Sequence, residues 1–137
     1  MPDSQKILAF DVGEKRIGVA IAHIPPRVSA PLTTLLRNAT FEQNLKQLIA
    51  DHLPDMFVVG RPRNQSGDVT QQTATVEAWV ESDLSGWDVP VYWQDESLTS
   101  VSAEAHLKAT KKNYTKSDID AYAAAIILTD FLEANTV

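Results

Sequence analysis

The chain contains no cysteine, which excludes disulfides, thiolate nucleophiles and every cysteine-bearing zinc or iron–sulfur site. It has no apolar run near the roughly 18 residues that a membrane span requires. Its start, Met1-Pro2-Asp3-Ser4-Gln5, lacks the basic-then-apolar pattern of a secretory signal. A soluble protein of the cytoplasm is therefore expected. Positive charge is also scarce. Twelve Lys and Arg against 18 Asp and Glu leave a net charge of −6, which argues against a broad electrostatic grip on nucleic acid. The basic residues are unevenly placed, with none between Arg63 and Lys108, a stretch that holds eight Asp and Glu. They gather at Lys15/Arg16, at Arg61/Arg63, and at Lys108, Lys111, Lys112 and Lys116. Solvated surface is the plain reading of such groups; a small local grip is the alternative.

What is present suffices for a core. A length of 137 residues with 44% apolar content suits a single globular domain spanning 1–137. Ile7-Leu8-Ala9-Phe10 reads as a buried strand stopped by a turn at Asp11-Val12-Gly13, and Ile17 to Ile24 reads as its hairpin partner. Val28 to Leu36 fits a third strand, with Pro31 marking an edge or a bulge. Phe41, Leu45, Leu48 and Ile49 have helical spacing behind Thr40 as N-cap. A strand over Met56 to Gly60, a helix carrying Thr73, Val76, Trp79 and Val80, a strand over Val89 to Trp93 and a helix around Ala103 to Leu107 follow. Ile119 to Leu132, dense in Ala, Ile and Leu, is the strongest helix, capped by Ser117 or Thr115. A meander followed by alternating strands and helices predicts an α/β fold, a mixed sheet with helices on its faces.

Carboxylates interrupt this pattern at three places. Asp11 stands in an otherwise apolar strand, where an ionised group is costly unless paired; service to the turn at Gly13 is the simpler explanation. Asp95-Glu96 follows a strand at its C-terminal end, the edge where open α/β sheets bind ligands; a helix-capping role is the rival. Asp120 lies on the stripe of Ala124, Ile127, Leu128 and Phe131 that should face the sheet. Ser117-Asp118-Ile119-Asp120 also resembles a capping box, which would make Asp120 a helix-start device. Together the acids form a set that hard divalent cations such as Mg²⁺ favour. Two such ions about 3.5–4 Å apart can stabilise both oxygens of a phosphodiester displacement. Arg61, Arg63 and Asn64 after Gly60, with Lys15/Arg16 beside Gly13, are candidate phosphate donors. His23, His52 and His106 have no metal-ligand spacing. Trp79, Trp87 and Trp93 read as packing residues, and Tyr114, between Lys112 and Lys116, is the better aromatic for nucleic acid.

Four blocks, in this order and spacing, resemble the YqgF/RuvX family of pre-16S rRNA nucleases related to Holliday-junction resolvases. They are Leu8 to Ala20, Val58 to Asn64 with Gly67, Asp95 to Ser100 with Ala103, and Asp118 to Ala124. The resemblance covers nearly the whole chain. It implies a ribonuclease H-like five-stranded mixed sheet of strand order 3-2-1-4-5. It implies Asp11, Glu96 and Asp120 as metal-binding catalytic acids holding Mg²⁺ or Mn²⁺, as two ions. It further implies endonuclease action on structured RNA at the 5′ end of pre-16S rRNA. By their own chemistry Lys15, Arg16, Arg61, Arg63 and Asn64 are the residues expected to place the backbone. Two departures stand out: Ser97 where the family commonly has Arg, and Arg61 and Arg63 where it commonly has apolar residues. The alternatives are a Holliday-junction resolvase on DNA, for which a homodimer would count, and a non-catalytic nucleic-acid-binding or transcription-associated module. An actin-type ATPase shares the Asp-x-Gly opening, but the chain is too short for its two domains. A ribosomal particle is a candidate partner, and either a monomer or a homodimer is compatible with the sequence.

Overall fold

The computed structural model describes residues 5–62, 71–96, 105 and 115–135. Strands β1 (Gln5–Val12), β2 (Arg16–Ile24) and β3 (Val28–Leu36) come first, then helix α1 (Phe41–His52) and strand β4 (Met56–Pro62). Helix α2 (Gln71–Trp79) runs into a π-turn (Val80–Leu84), and strand β5 (Val91–Glu96) and helix α3 (Lys116–Ala134) complete the described elements. The sheet has five strands in the order β3-β2-β1-β4-β5, as the resemblance implies. β1 pairs antiparallel with β2 and β2 with β3, whereas β1–β4 and β4–β5 are parallel. β3 is the edge strand anticipated from Pro31, and the β2–β3 register shifts between Val19 and Ala20 where Pro31 pairs.

Strand alternation divides the core in two. Ile7, Ala9, Ala20, Ala22, Met56 and Val58 pack against Ala124, Ile127, Leu128 and Phe131 of α3. Their neighbours Leu8, Phe10, Ile17, Val19, Phe57 and Val59 pack against α1, α2 and Leu84 on the other face. Phe10 anchors that second layer, its ring 5.7 Å from Phe57 and 5.5 Å from Trp79. Trp79 is thus a core residue. Each run of period two therefore feeds two hydrophobic layers, which is why β1 reads as a continuous apolar segment.

The β2–β3 hairpin also straps α3 along its length. Thr34 Oγ1 donates to the Ser117 carbonyl at 2.7 Å, Ser29 Oγ to the Ala125 carbonyl at 3.0 Å, and Arg27 donates to the Leu132 carbonyl. Several boundaries differ from the sequence expectation. β4 continues past Gly60 to Pro62, and β5 occupies 91–96 rather than 89–93, because Gly60, Arg61 and Pro62 pair in register with Gln94, Asp95 and Glu96. α3 starts at Lys116 instead of Ile119, because Thr115 caps it. The expected helix around Ala103 to Leu107 falls outside the described residues except for Ala105, as do Arg63, Asn64, Gly67, His106 and Tyr114. No helix among the described residues is long and apolar enough to cross a membrane.

Candidate functional site

The parallel strands β1, β4 and β5 end together, and the strand order turns back between β1 and β4. In open α/β sheets such a C-terminal edge is where ligands bind. Asp11 lies there, one residue before the end of β1 and half-buried. It shares the parity of Ile7 and Ala9 and so belongs to the face that α3 covers. Its register partner on β2 is Gly18.

Gly18 decides how close α3 can come. A Cβ built on it would stand 1.9 Å from the carbonyl oxygen of Asp120 and 2.9 Å from the amide nitrogen of Ala121. The helix backbone therefore rests directly on the strand at this point, and only glycine allows it. Asp11 and Asp120 accordingly border one glycine, the first beside it across the β1–β2 ladder and the second above it. Gly18 escaped the sequence reading as a site residue. A lone glycine inside a run of β-branched and small residues was its signal.

The cap of α3 settles what Asp120 does not do. Thr115 Oγ1 accepts from the Asp118 amide at 3.2 Å, and Asp118 Oδ2 accepts from the Thr115 amide at 2.9 Å. This reciprocal capping box belongs to Thr115 and Asp118. The expected box from Ser117 to Asp120 is corrected, and Asp118 is the capping residue. Asp120, the fifth residue of the helix, is left to face β2. There Arg16 Nε donates to Asp120 Oδ2 at 2.5 Å, with the two side chains 28% and 21% exposed. Arg16 opens β2 with the parity of Gly18, which brings it to the α3 face.

Glu96 ends β5 opposite Pro62 in the register of β4. It lies two positions after Gln94 and four after Tyr92, whose ring meets Phe131 of α3 at 5.8 Å. By position Glu96 thus shares the α3 face and the edge of the other acids; its side chain lies outside the described residues. Asp95 takes the opposite parity, shared with Trp93, which packs on the α1–α2 side. Among the described residues, no three Asp, Glu or His side chains gather closely enough to hold a metal ion.

The basic residues divide between the faces. Lys15 is exposed in the β1–β2 turn. Gly13 closes that turn, its amide donating to the Arg16 carbonyl at 2.9 Å. Arg61 was expected to be released by a strand ending at Gly60. Instead it sits within β4, pairs with Glu77 of α2 and lies over the Trp93 ring at 5.4 Å. It therefore serves the α2 side of the sheet. His23 is exposed and His52 partly so.

Three comparisons with known proteins bear on this arrangement. A family model described as "RuvX: Holliday junction resolvase" matches residues 5–134. A Chloroflexus aggregans protein named "Putative pre-16S rRNA nuclease" is 38% identical over 136 residues, covering 96% of each chain. A Pseudomonas putida protein of the same name is 34% identical over 99% of this chain and 100% of its own. Among solved structures, Thermus thermophilus RuvC in complex with a Holliday junction substrate superposes with a TM-score of 0.56 at 16% identity, covering 94% of each chain. The fowlpox virus resolvase bound to junction DNA gives 0.55 at 10% identity over 93% of this chain and 98% of its own. These structures share the fold with the present chain.

Proposed function

The chain belongs to the RuvX family, and from that membership and its sheet edge we propose that it is a divalent-metal-dependent endonuclease that trims the 5′ end of pre-16S rRNA. The observation that supports the reading is that Asp11 on β1 and the Asp120 backbone on α3 both border Gly18, at the edge where β5 ends in Glu96. A carboxylate set drawn from two strands and a helix suits hard cations, which prefer oxygen donors. Asp120 is already paired with one cationic group, the Arg16 guanidinium. Asp11, Glu96 and Asp120 would hold the Mg²⁺ or Mn²⁺. Two ions there would neutralise the developing charge on the phosphate and activate a water for in-line attack, leaving 5′-phosphate and 3′-hydroxyl ends.

The chain's own residues do the positioning. Gly18 fixes the height of α3, and with it Asp120, above the sheet. Lys15 in its exposed turn, with Arg63 and Asn64 beyond β4, guides the backbone of the substrate. All these parts belong to one domain spanning 1–137, acting in the cytoplasm as a monomer or homodimer on RNA within a ribosomal particle. Resolution of branched DNA is the second reading, favoured by the family model's description.

The test is cleavage of a precursor 16S RNA fragment and of a synthetic four-way DNA junction in one buffer, titrated with Mg²⁺ and Mn²⁺, by wild type and Asp120→Asn. Metal-dependent RNA cleavage lost in the variant is the expected result. Junction cleavage alone would transfer the site to the second reading. Binding that persists in EDTA with no cleavage under any metal would make the chain a binding module and end both.

A further inference from the structure

Arg16 and Asp120 come from opposite ends of the chain, yet their side chains meet at hydrogen-bond distance with each less than one-third exposed. A half-buried carboxylate needs a counter-charge, and in the protein alone the guanidinium supplies it. The bond runs through Nε, so the outer Nη groups retain donors for a second acceptor. The backbone of α3 cannot retreat toward the sheet, because Gly18 already touches the Asp120 carbonyl, and Thr34 holds the Ser117 carbonyl from β3. Any exchange of partner at Asp120 therefore takes place in the side chains, with the helix fixed.

We propose that Arg16 is a positioning residue that holds the cation's place at Asp120 and is released toward the phosphodiester backbone when a divalent ion arrives. The inference rests on the metal-dependent reading above. The acid is kept oriented while the site waits, and the charge that held it becomes a phosphate donor at the moment the metal takes over. A chain of net charge −6 gains from this economy, since one guanidinium serves both states beside a polyanion.

Two titrations on the full chain, stripped of metal, test it. The first adds Mn²⁺ without nucleic acid and reads affinity by calorimetry for wild type, Arg16→Gln and Arg16→Lys, with a thermal melt of each to verify folding. Removing the competitor should tighten Mn²⁺ binding about three- to tenfold in Arg16→Gln, the range expected for a partly exposed charge-assisted contact. Arg16→Lys, which keeps a point charge, should fall between. The second reads affinity for the precursor 16S RNA fragment in saturating Ca²⁺, where Arg16→Gln should bind several-fold more weakly than wild type. Unchanged or weaker Mn²⁺ binding in a folded Arg16→Gln overturns the proposal while leaving the metal-dependent reading intact. Tighter Mn²⁺ binding with undiminished RNA affinity overturns the release toward phosphate. A wild type that takes up no Mn²⁺ overturns the metal-dependent reading itself, and this proposal with it.

Discussion

Asp11 occupies a place where its neighbours Ala9 and Phe10 are fully buried and its own register partner is a bare glycine. In the proposed site a carboxylate there serves chemistry rather than packing. Asp11→Asn keeps the shape and removes the charge, so the chain should fold with its melting temperature little changed. Cleavage should fall at least about a hundredfold, the scale on which a metal site loses function with its ligand field. A rate assay beside a thermal melt checks both halves, and full activity in the variant would remove Asp11 from the site. Arg61 makes the opposite case. Its ion pair with Glu77 and its stacking on Trp93 tie β4 to α2 and β5. Arg61→Ala should cost about 1 kcal/mol of stability and leave RNA affinity in Ca²⁺ within about twofold of wild type. A larger loss of affinity at unchanged stability would return Arg61 to the substrate path. Asp11 was legible in the sequence because a charge in an apolar strand is conspicuous. The partner of Arg61 was not, because a side-chain pair across two elements leaves no spacing to read.

At the level of elements, the docking of α3 on the β1–β2 hairpin sets the position of Asp120 above the sheet. The helix was plain from its Ala- and Ile-rich stripe, but its start was misplaced by three residues, since Ser117 and Thr115 are equally good caps by type. Only the extended backbone of Thr115, at φ −114° and ψ 173°, separates them. The strand ends were misjudged for a related reason: Gly60 looks like a terminus, whereas the ladder with β5 carries β4 two residues further. Strand order followed from the family resemblance, not from periodicity, because apolar runs say which segments are buried and not which neighbours they take. Gly18→Ala tests the docking directly. Its methyl group would meet backbone rather than a movable side chain, so the helix must shift. The expected cost is about 3 kcal/mol, a fall in melting temperature on the order of 10 °C, with Mn²⁺ affinity lost along with it. A variant that melts with wild type would show that α3 does not rest on β2 at this point.

For the molecule as a whole, the excess of acid sets the conditions under which it can meet a polyanion. With 12 basic residues against 18 acidic, few phosphates can be neutralised at once, and in the proposed metal-dependent reading divalent ions supply part of the attraction. RNA binding should therefore be weak in EDTA and return in Ca²⁺. Its salt dependence should be shallow, with a log–log slope of only about −2 to −4, as expected for a handful of ionic contacts. A steep slope in EDTA would point to a basic surface elsewhere on the chain. The same excess acts on stability through the C-terminal end of α3. Burial first, and the charge of Glu133 second, raise the Asp130 carboxyl above its ordinary pKa of 3.8. A raised carboxyl binds its proton more tightly in the folded chain than in the unfolded one. Folding is thus favoured below that ordinary value, and the advantage is lost as pH rises through the folded-state pKa. At neutral pH the charged Asp130 is a net burden, also because it sits near the negative end of the helix dipole. Asp130→Asn should raise the melting temperature at pH 7 and lose that advantage when the melt is repeated near pH 3. An equal gain at both pH values would assign the effect to packing instead of charge, and a loss at pH 7 would mean that the carboxylate is held by a stabilising partner.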